Sequence, residues 1–366
     1  MTNDPRRSSR KCPDSKDRPF VIPVFLPQAG CPHQCVFCNQ GAITGKRLQL
    51  PESREMTPDF LAGYAKREID RHLEYRRDAR RQTEISFYGG NFLGLEKDAI
   101  RRLLETAAEY VRAGVVHGIR FSTRPDTVNR RSLALLSGYP VHTVELGVQS
   151  MDDSVLERSA RGHSAKDSIL AASLLKEASY RTGLQMMVGL PGESGHSAME
   201  TARSIISLAP NFVRIYPVLV VRGSPLEHLY RRGQYEPVNL ERCIARVKDL
   251  FALFLANDIP VVRIGLQANT GFDSGGELVA GPYHPALGQM VVSGVLFDRA
   301  AKAIEALGIF PDKGAHVHVH PRMISTLRGQ KNANIRRLER LFPGVVPIRV
   351  VPDPDAGYYD VSVTRT

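Results

Sequence analysis

The stretch Ala29-Gly30-Cys31-Pro32-His33-Gln34-Cys35-Val36-Phe37-Cys38-Asn39-Gln40 sets three cysteines at Cys-x3-Cys-x2-Cys spacing. Three thiolates on one short loop hold three corners of an iron–sulfur cube and leave the fourth iron open to a small chelating ligand. The residues alone also admit zinc, with His33 or Cys12 as the fourth ligand. Zinc ligands usually come as two separated pairs, however, and the remaining cysteines, Cys12 and Cys243, form no second pair. Five cysteines in 366 residues are too sparse, and odd in number, for a disulfide framework.

Working outward from this loop, strand-like and helix-like segments alternate. Strand patterns fall at Phe20–Leu26, Glu84–Tyr88, Gly118–Thr123, His142–Val148, Leu184–Val188 and Asn211–Pro217. Helical periodicity falls at Pro58–Arg76, Lys97–Arg112, Arg130–Ser137, Ala165–Ser179, Ser194–Leu208 and Leu240–Asn257. Such alternation implies parallel strands with right-handed crossovers. Six units fit an incomplete (β/α)6 barrel, an α/β fold whose active site forms at the carboxyl ends of the strands. The cysteine loop follows the first strand, where that architecture puts chemistry. The expected division is a disordered basic tail at 1–18, the partial barrel at 19–260 and a small C-terminal α+β extension at 261–366.

Composition sets further bounds. A hydrophobic fraction of 42% with 24% charged residues is that of a soluble globular protein. No apolar run approaches a membrane span and the first residues lack the core of a signal peptide, so the reading is cytoplasmic, without membrane contact. The formal net charge of +11, mostly from arginine, favours a polyanionic partner such as RNA. The charge thickens in the tail, in Lys66–Arg81 and in Arg336–Arg340. In the first of the two internal runs, Glu68, Asp70, Glu74 and Asp78 stand at salt-bridging intervals, which also describes an ordinary solvated helix face.

Polar residues and glycines mark several strand ends. Tyr88-Gly89-Gly90-Asn91 follows the second strand, where glycines let backbone approach a ligand. Arg124, in Ser122-Thr123-Arg124-Pro125-Asp126, is placed either to bind an anion or to pair with Asp126. Glu145, Gly147 and Gln149 share one face of the fourth strand and imply a polar pocket. Arg161-Gly162-His163 follows a short helix, and Gly189-Leu190-Pro191-Gly192 closes the fifth strand. His316, His318 and His320 alternate on a strand, a face that can bind metal but is more often solvated. His284, within Gly281–Gln289, is the better candidate for a substrate-side role.

The cysteine loop, with Phe37 before its last cysteine, resembles the signature of the radical S-adenosylmethionine (SAM) superfamily. That resemblance implies a 4Fe-4S cluster on Cys31, Cys35 and Cys38, and SAM held by Phe37, Gly89, Gly90, Asn91, Arg124, Glu145, Gln149, Arg161 and Gly189. It also implies a flavodoxin- or ferredoxin-type electron donor. In that family a Gly-Gly-Glu or Gly-Gly-Thr run contacts the methionine amino group; here the third position is Asn91. The runs STRPD, VELGVQS, RGH, GLPGE, RIYPVLVVRGSPLEHLY, VRIGLQ and ELVAGPYHPALGQMV resemble, more narrowly, the radical SAM part of the elongator complex catalytic subunit and its shorter bacterial relatives. This likeness spans about residues 20–300 and implies a transfer RNA nucleoside as substrate. Two departures stand out: the first cysteine gap is shorter than in the elongator subunit, and the 66 residues after 300 are too few for its acetyltransferase domain. Three readings follow: a radical SAM enzyme generating a 5′-deoxyadenosyl radical to abstract hydrogen from a tRNA nucleoside; a radical SAM oxidoreductase on a small carboxylated substrate, like the coproporphyrinogen oxidases, with Arg124 or Arg214 as anion clamp; or a zinc-stapled RNA-binding module.

Overall fold

The computed structural model describes residues 19–26, 29–44, 57–75, 82–266, 272, 276–308 and 314–366. The expected tail at 1–18 lies outside them, as does Asp78. Twelve strands are present among the described residues. Strands β1 (Phe20–Phe25), β2 (Thr83–Tyr88), β3 (Gly118–Thr123), β4 (Val141–Gln149), β5 (Arg181–Val188) and β6 (Phe212–Pro217) are followed by β7 (Val220–Val221), β8 (Val261–Ile264) and β9 (Leu278–Ala280). The last three are β10 (Ala315–Val319), β11 (Ile348–Pro352) and β12 (Val361–Arg365).

One open sheet takes the order β1-β2-β3-β4-β5-β6-β8, parallel throughout. All six strands read from the sequence are in it, so the incomplete α/β barrel stands, and β8 adds a seventh at the edge. Helices return the chain between strands, and their ends are written locally. Pro58–Glu74 starts at Thr57, whose side chain accepts from Phe60 N, with Pro58 in the first turn. Ala165–Glu177 and Gly195–Ser207 open with capping boxes, Ser164 with Asp167 and Ser194 with Ser197. Lys97–Arg112 buries Ile100, Leu103, Leu104, Ala107 and Ala108, a stripe of helical period. Against the sheet, Phe92 stacks between Phe87 and Phe121 at centroid distances of 5.1 and 4.5 Å, each pair contributing about 0.5–1.5 kcal/mol beyond its burial.

The chain divides into two compact units, 15–243 with 259–285, and 244–258 with 286–366. The boundary expected at residue 260 is therefore corrected. β8 extends the hydrogen-bonded ladder of β6 and belongs to the half-barrel. Most of helix Leu240–Ala256 belongs to the second unit, where Lys248 pairs with Asp298 at 2.7 Å and Phe251 meets Tyr359 edge-on. That unit is α+β, as expected: sheet β11-β10-β12, the helix Leu287–Leu307, and the short helices Ile324–Arg328 and Ala333–Leu341. Its core joins Leu296, Phe297, Ala300 and Ile304 to Val317, Val319, Leu327 and Leu338.

Candidate active site

The cysteine loop leaves the carboxyl end of β1 and is fixed from distant parts of the half-barrel. Val36 N donates to Ser159 O at 3.1 Å, and Val36 O accepts from Leu226 N at 2.7 Å. Asn39 Nδ2 donates to Arg222 O at 2.6 Å, while its Oδ1 accepts from Ala42 N in the helix Gln40–Thr44. Gly90 fits under the loop: a Cβ there would lie 2.5 Å from Ala29 O and 2.7 Å from Leu26 O. Gly89, at φ +86°, makes the turn. Gly90 thereby admits the backbone at the start of the loop.

All three cysteines of the loop are free thiols, Cys35 buried and the other two half-buried. Burial raises Cys31, and burial together with its neighbours Cys35 and Cys31 pushes Cys38 up to about 12. Thiols so placed become thiolates only beside a compensating positive charge. Arg161 supplies part of it, donating from Nη1 to Cys35 Sγ at 3.1 Å and from Nη2 to Gly147 O at 2.6 Å. The charge of Arg124 also acts on Cys31. Buried N–H groups remain unengaged on both, Arg124 Nη1 and Arg161 Nε. Three thiols on one loop, two cations and spare donors fit an iron–sulfur cluster with a carboxylate-bearing ligand on its open iron. Among the described residues, no three His, Cys, Asp or Glu side chains converge as ligands of a single ion.

Other expected contacts are repositioned. Asn91 is fully buried, and its amide is saturated by the chain. Nδ2 donates to Gly30 O at 2.8 Å, and Oδ1 accepts from Thr123 Oγ1, Thr127 Oγ1 and Arg124 N at 2.7, 2.9 and 3.0 Å. It ties the cysteine loop to the end of β3. Glu145 pairs with Arg120 at 2.9 Å and with Arg214 at 2.7 Å, and accepts from Tyr88 Oη at 2.9 Å. Arg120 also pairs with Glu84 at 2.9 Å. The two proposed anion clamps are thus both held by carboxylates of the chain, since Asp126 grips Arg124 through two hydrogen bonds at 3.0 and 2.9 Å.

Gln149 sits at a bulge with φ +68°, its Oε1 accepting from Gln185 Nε2 at 3.3 Å. Its amide lies over Gly147, where a Cβ would come 2.9 Å from Nε2, so it shares a corner with Arg161. Gly189, at φ +90°, donates to Glu193 Oε2 and accepts from Tyr235 Oη at 2.6 Å. Phe37 packs half-buried on Val155, Met187, Leu190 and Leu226. Of the three histidines, His316 and His318 lie edge-to-face with ring centroids 6.4 Å apart and His318 bonds Thr364 at 2.8 Å, whereas His320 caps Arg322 N beyond the strand. His284 is half-buried in the loop after β9.

Sequence reasoning missed two things. One is the ion network of Glu84, Arg120 and Arg214 with Glu145; its signal was a single charge in each of the otherwise apolar strands TEISFY, GIRFST and FVRIYP. The other is that the runs at 214–230 and 277–291 meet, through the antiparallel pairing of β7 and β9. Tyr283 and Phe272 then pack with Ala42 and Ile43, directly after the cysteines.

The chain belongs to the radical SAM superfamily, whose family model matches residues 25–205, followed by a match to the radical SAM C-terminal domain at 210–295. Family membership makes it an enzyme and implies a 4Fe-4S cluster and SAM. Within the superfamily, it is 30% identical over 259 residues to an uncharacterized protein of Methanocaldococcus jannaschii, covering 68% of this chain and 75% of that one. It is 28% identical over 256 residues to the tRNA uridine(34) acetyltransferase of Methanocaldococcus infernus, covering 61% of this chain and 47% of the relative. The chain thus spans about half the length of that relative. The archaeal Elp3 of Methanocaldococcus infernus, truncated at its N-terminus, has the same fold, with a TM-score of 0.58 and 21% identity over 80% of this chain and 68% of that one.

Proposed function

We propose that the protein is a radical SAM enzyme acting on a nucleoside of transfer RNA, with the cluster on Cys31, Cys35 and Cys38. The observation that carries the site is the buried Arg161 guanidinium donating to Cys35 Sγ at 3.1 Å beside two other free thiols of the same loop. The substrate class rests on the likeness to enzymes named for tRNA uridine(34). When bound, cluster and SAM supply a 5′-deoxyadenosyl radical that removes a hydrogen atom from substrate, after one electron arrives from a flavodoxin- or ferredoxin-type donor.

The chain's residues bind and orient. Arg161 stabilises the Cys35 thiolate, and the free N–H groups of Arg124 and Arg161 take the carboxylate of SAM. Gln149 turns its amide to the same corner through its left-handed backbone, and Phe37 and Gly189 flank the adenosyl side. Asn91 and Gly90 hold the loop in place, and Glu145 with Arg120 and Arg214 keeps the sheet face beneath it rigid and charge-balanced.

The test is anaerobic reconstitution with iron, sulfide, SAM and dithionite, with and without unmodified transfer RNA. Expected are about four irons per chain, 5′-deoxyadenosine whose yield rises with RNA, and a mass shift in one nucleoside after digestion. A 5′-deoxyadenosine yield indifferent to RNA, with an unchanged nucleoside profile, overturns the substrate reading.

A further inference from the structure

The structure assigns the C-terminal unit a binding surface for an RNA phosphate backbone, formed by Arg328, Lys331, Arg336, Arg337, Arg340 and Arg349. Between Pro321 and Arg349 the sequence carries seven basic residues and one acid, Glu339. All six named side chains are exposed. Ion pairs of this unit lie elsewhere, at Lys248–Asp298 and Arg299–Asp360. Glu339 is turned inward, its Oε1 accepting from Ile348 N at 3.4 Å. Among the described residues, the surface is thus left with positive charge that no carboxylate offsets.

It is also built rather than loose. Helix Ala333–Leu341 is anchored by buried Leu338 and by Asn334, whose Nδ2 donates to Ser293 Oγ and Leu327 O, both at 2.9 Å. Arg337 lies over the Phe297 ring, 4.2 Å from its centroid, and Arg340 Nε donates to Arg336 O at 3.3 Å. Arg336 and Arg340 stand one turn apart, a like-charge pair that costs an isolated helix a few tenths of a kcal/mol. Helix Pro58–Glu74 of the half-barrel manages its charge oppositely, pairing Lys66 with Asp70 and Arg71 with Glu68. Fixed arginine forks without carboxylates match phosphate oxygens in geometry and charge. Backbone contacts of this kind position a nucleic acid while a separate site reads the base. The inference rests on the RNA reading of the proposed function and gives that RNA a place to be held.

The experiment measures binding of fluorescent unmodified transfer RNA to the full-length chain across a salt series. Expected is at least about a tenfold loss of affinity in the double variant R336E/R340E, with the slope of log K against log salt falling by roughly 0.7–0.9 per lost contact. R336K/R340K retains the slope, and reversal of the paired arginines, R101E/R102E, leaves affinity unchanged; circular dichroism verifies folding of each variant. Unchanged affinity and slope in R336E/R340E overturn the surface, as does an equal loss in R101E/R102E. Anionic-lipid vesicles that displace the RNA through these same arginines overturn it as well. If the surface fails while RNA still raises 5′-deoxyadenosine yield, the proposed function survives; if the unaltered chain binds no transfer RNA, the RNA reading itself falls.

Discussion

Two regions of this molecule handle arginine in opposite ways. On the half-barrel sheet, Arg120 is buried and Arg214 half-buried, and they are matched by Glu84 and Glu145, with Tyr88 completing the network. On the C-terminal unit, Arg336 and Arg340 are exposed and have no such match among the described residues. The first arrangement is closed: each charge is compensated within the chain, so it serves shape, and burial beside Glu145 even pushes the Tyr88 hydroxyl up to about 12. The second is open, and its charge becomes useful only when something anionic arrives. Position in the fold, more than residue type, separates an arginine that holds the protein together from one that holds a partner.

The comparison can be broken at several points. The largest effect is expected at the cysteine loop: Cys35→Ser removes a cluster ligand, so reconstituted iron and the visible absorbance of the cluster should fall to background, with 5′-deoxyadenosine lost. Next is Glu145→Ala, which strands the half-buried Arg214 guanidinium while Arg120 keeps its pair with Glu84, and should cost about 3 kcal/mol in urea unfolding. A cost below 1 kcal/mol would show that the network is not closed. Gly90→Ala drives a methyl into Ala29 O and Leu26 O. It should cost about 1–3 kcal/mol and lower iron loading by displacing the cysteine loop.

A smaller, pH-dependent effect comes from His163, which burial and the nearby Arg161 lower to about 4. The unfolded chain takes up that proton near pH 6.5 and the folded one does not until about 4. Stability therefore falls as pH drops through this window, by at most about 1.4 kcal/mol per unit. His163→Gln should flatten that slope in urea midpoints measured from pH 7 to 5. Smallest of all, R336E/R340E should shift stability by less than about 0.5 kcal/mol, because these side chains brace nothing.

Legibility in the sequence followed the same division between local and distant causes. The six strands and the helices between them were readable because period, caps and prolines act over a few residues. Strand β8 falls where the sequence pattern changes, from about Val261, and only its pairing with β6 reveals where it belongs. The cysteines announced their chemistry by spacing, whereas Asn91 announced only that an amide was present. Which atoms that amide meets depends on Gly30, Thr123 and Thr127, none of them predictable partners from a Gly-Gly-Asn run. The bulge at Gln149 escaped notice for a similar reason: alternation foresaw its face but not its left-handed backbone.

The bonds that shape the cysteine loop carry a consequence for biogenesis. Val36 is held by Ser159 and by Leu226, residues made long after the cysteines leave the ribosome. A nascent chain ending before Leu226 presents three thiols on an unformed loop, open to oxidation and to stray metal. The shape of the loop is therefore complete only once the chain has been made through Leu226.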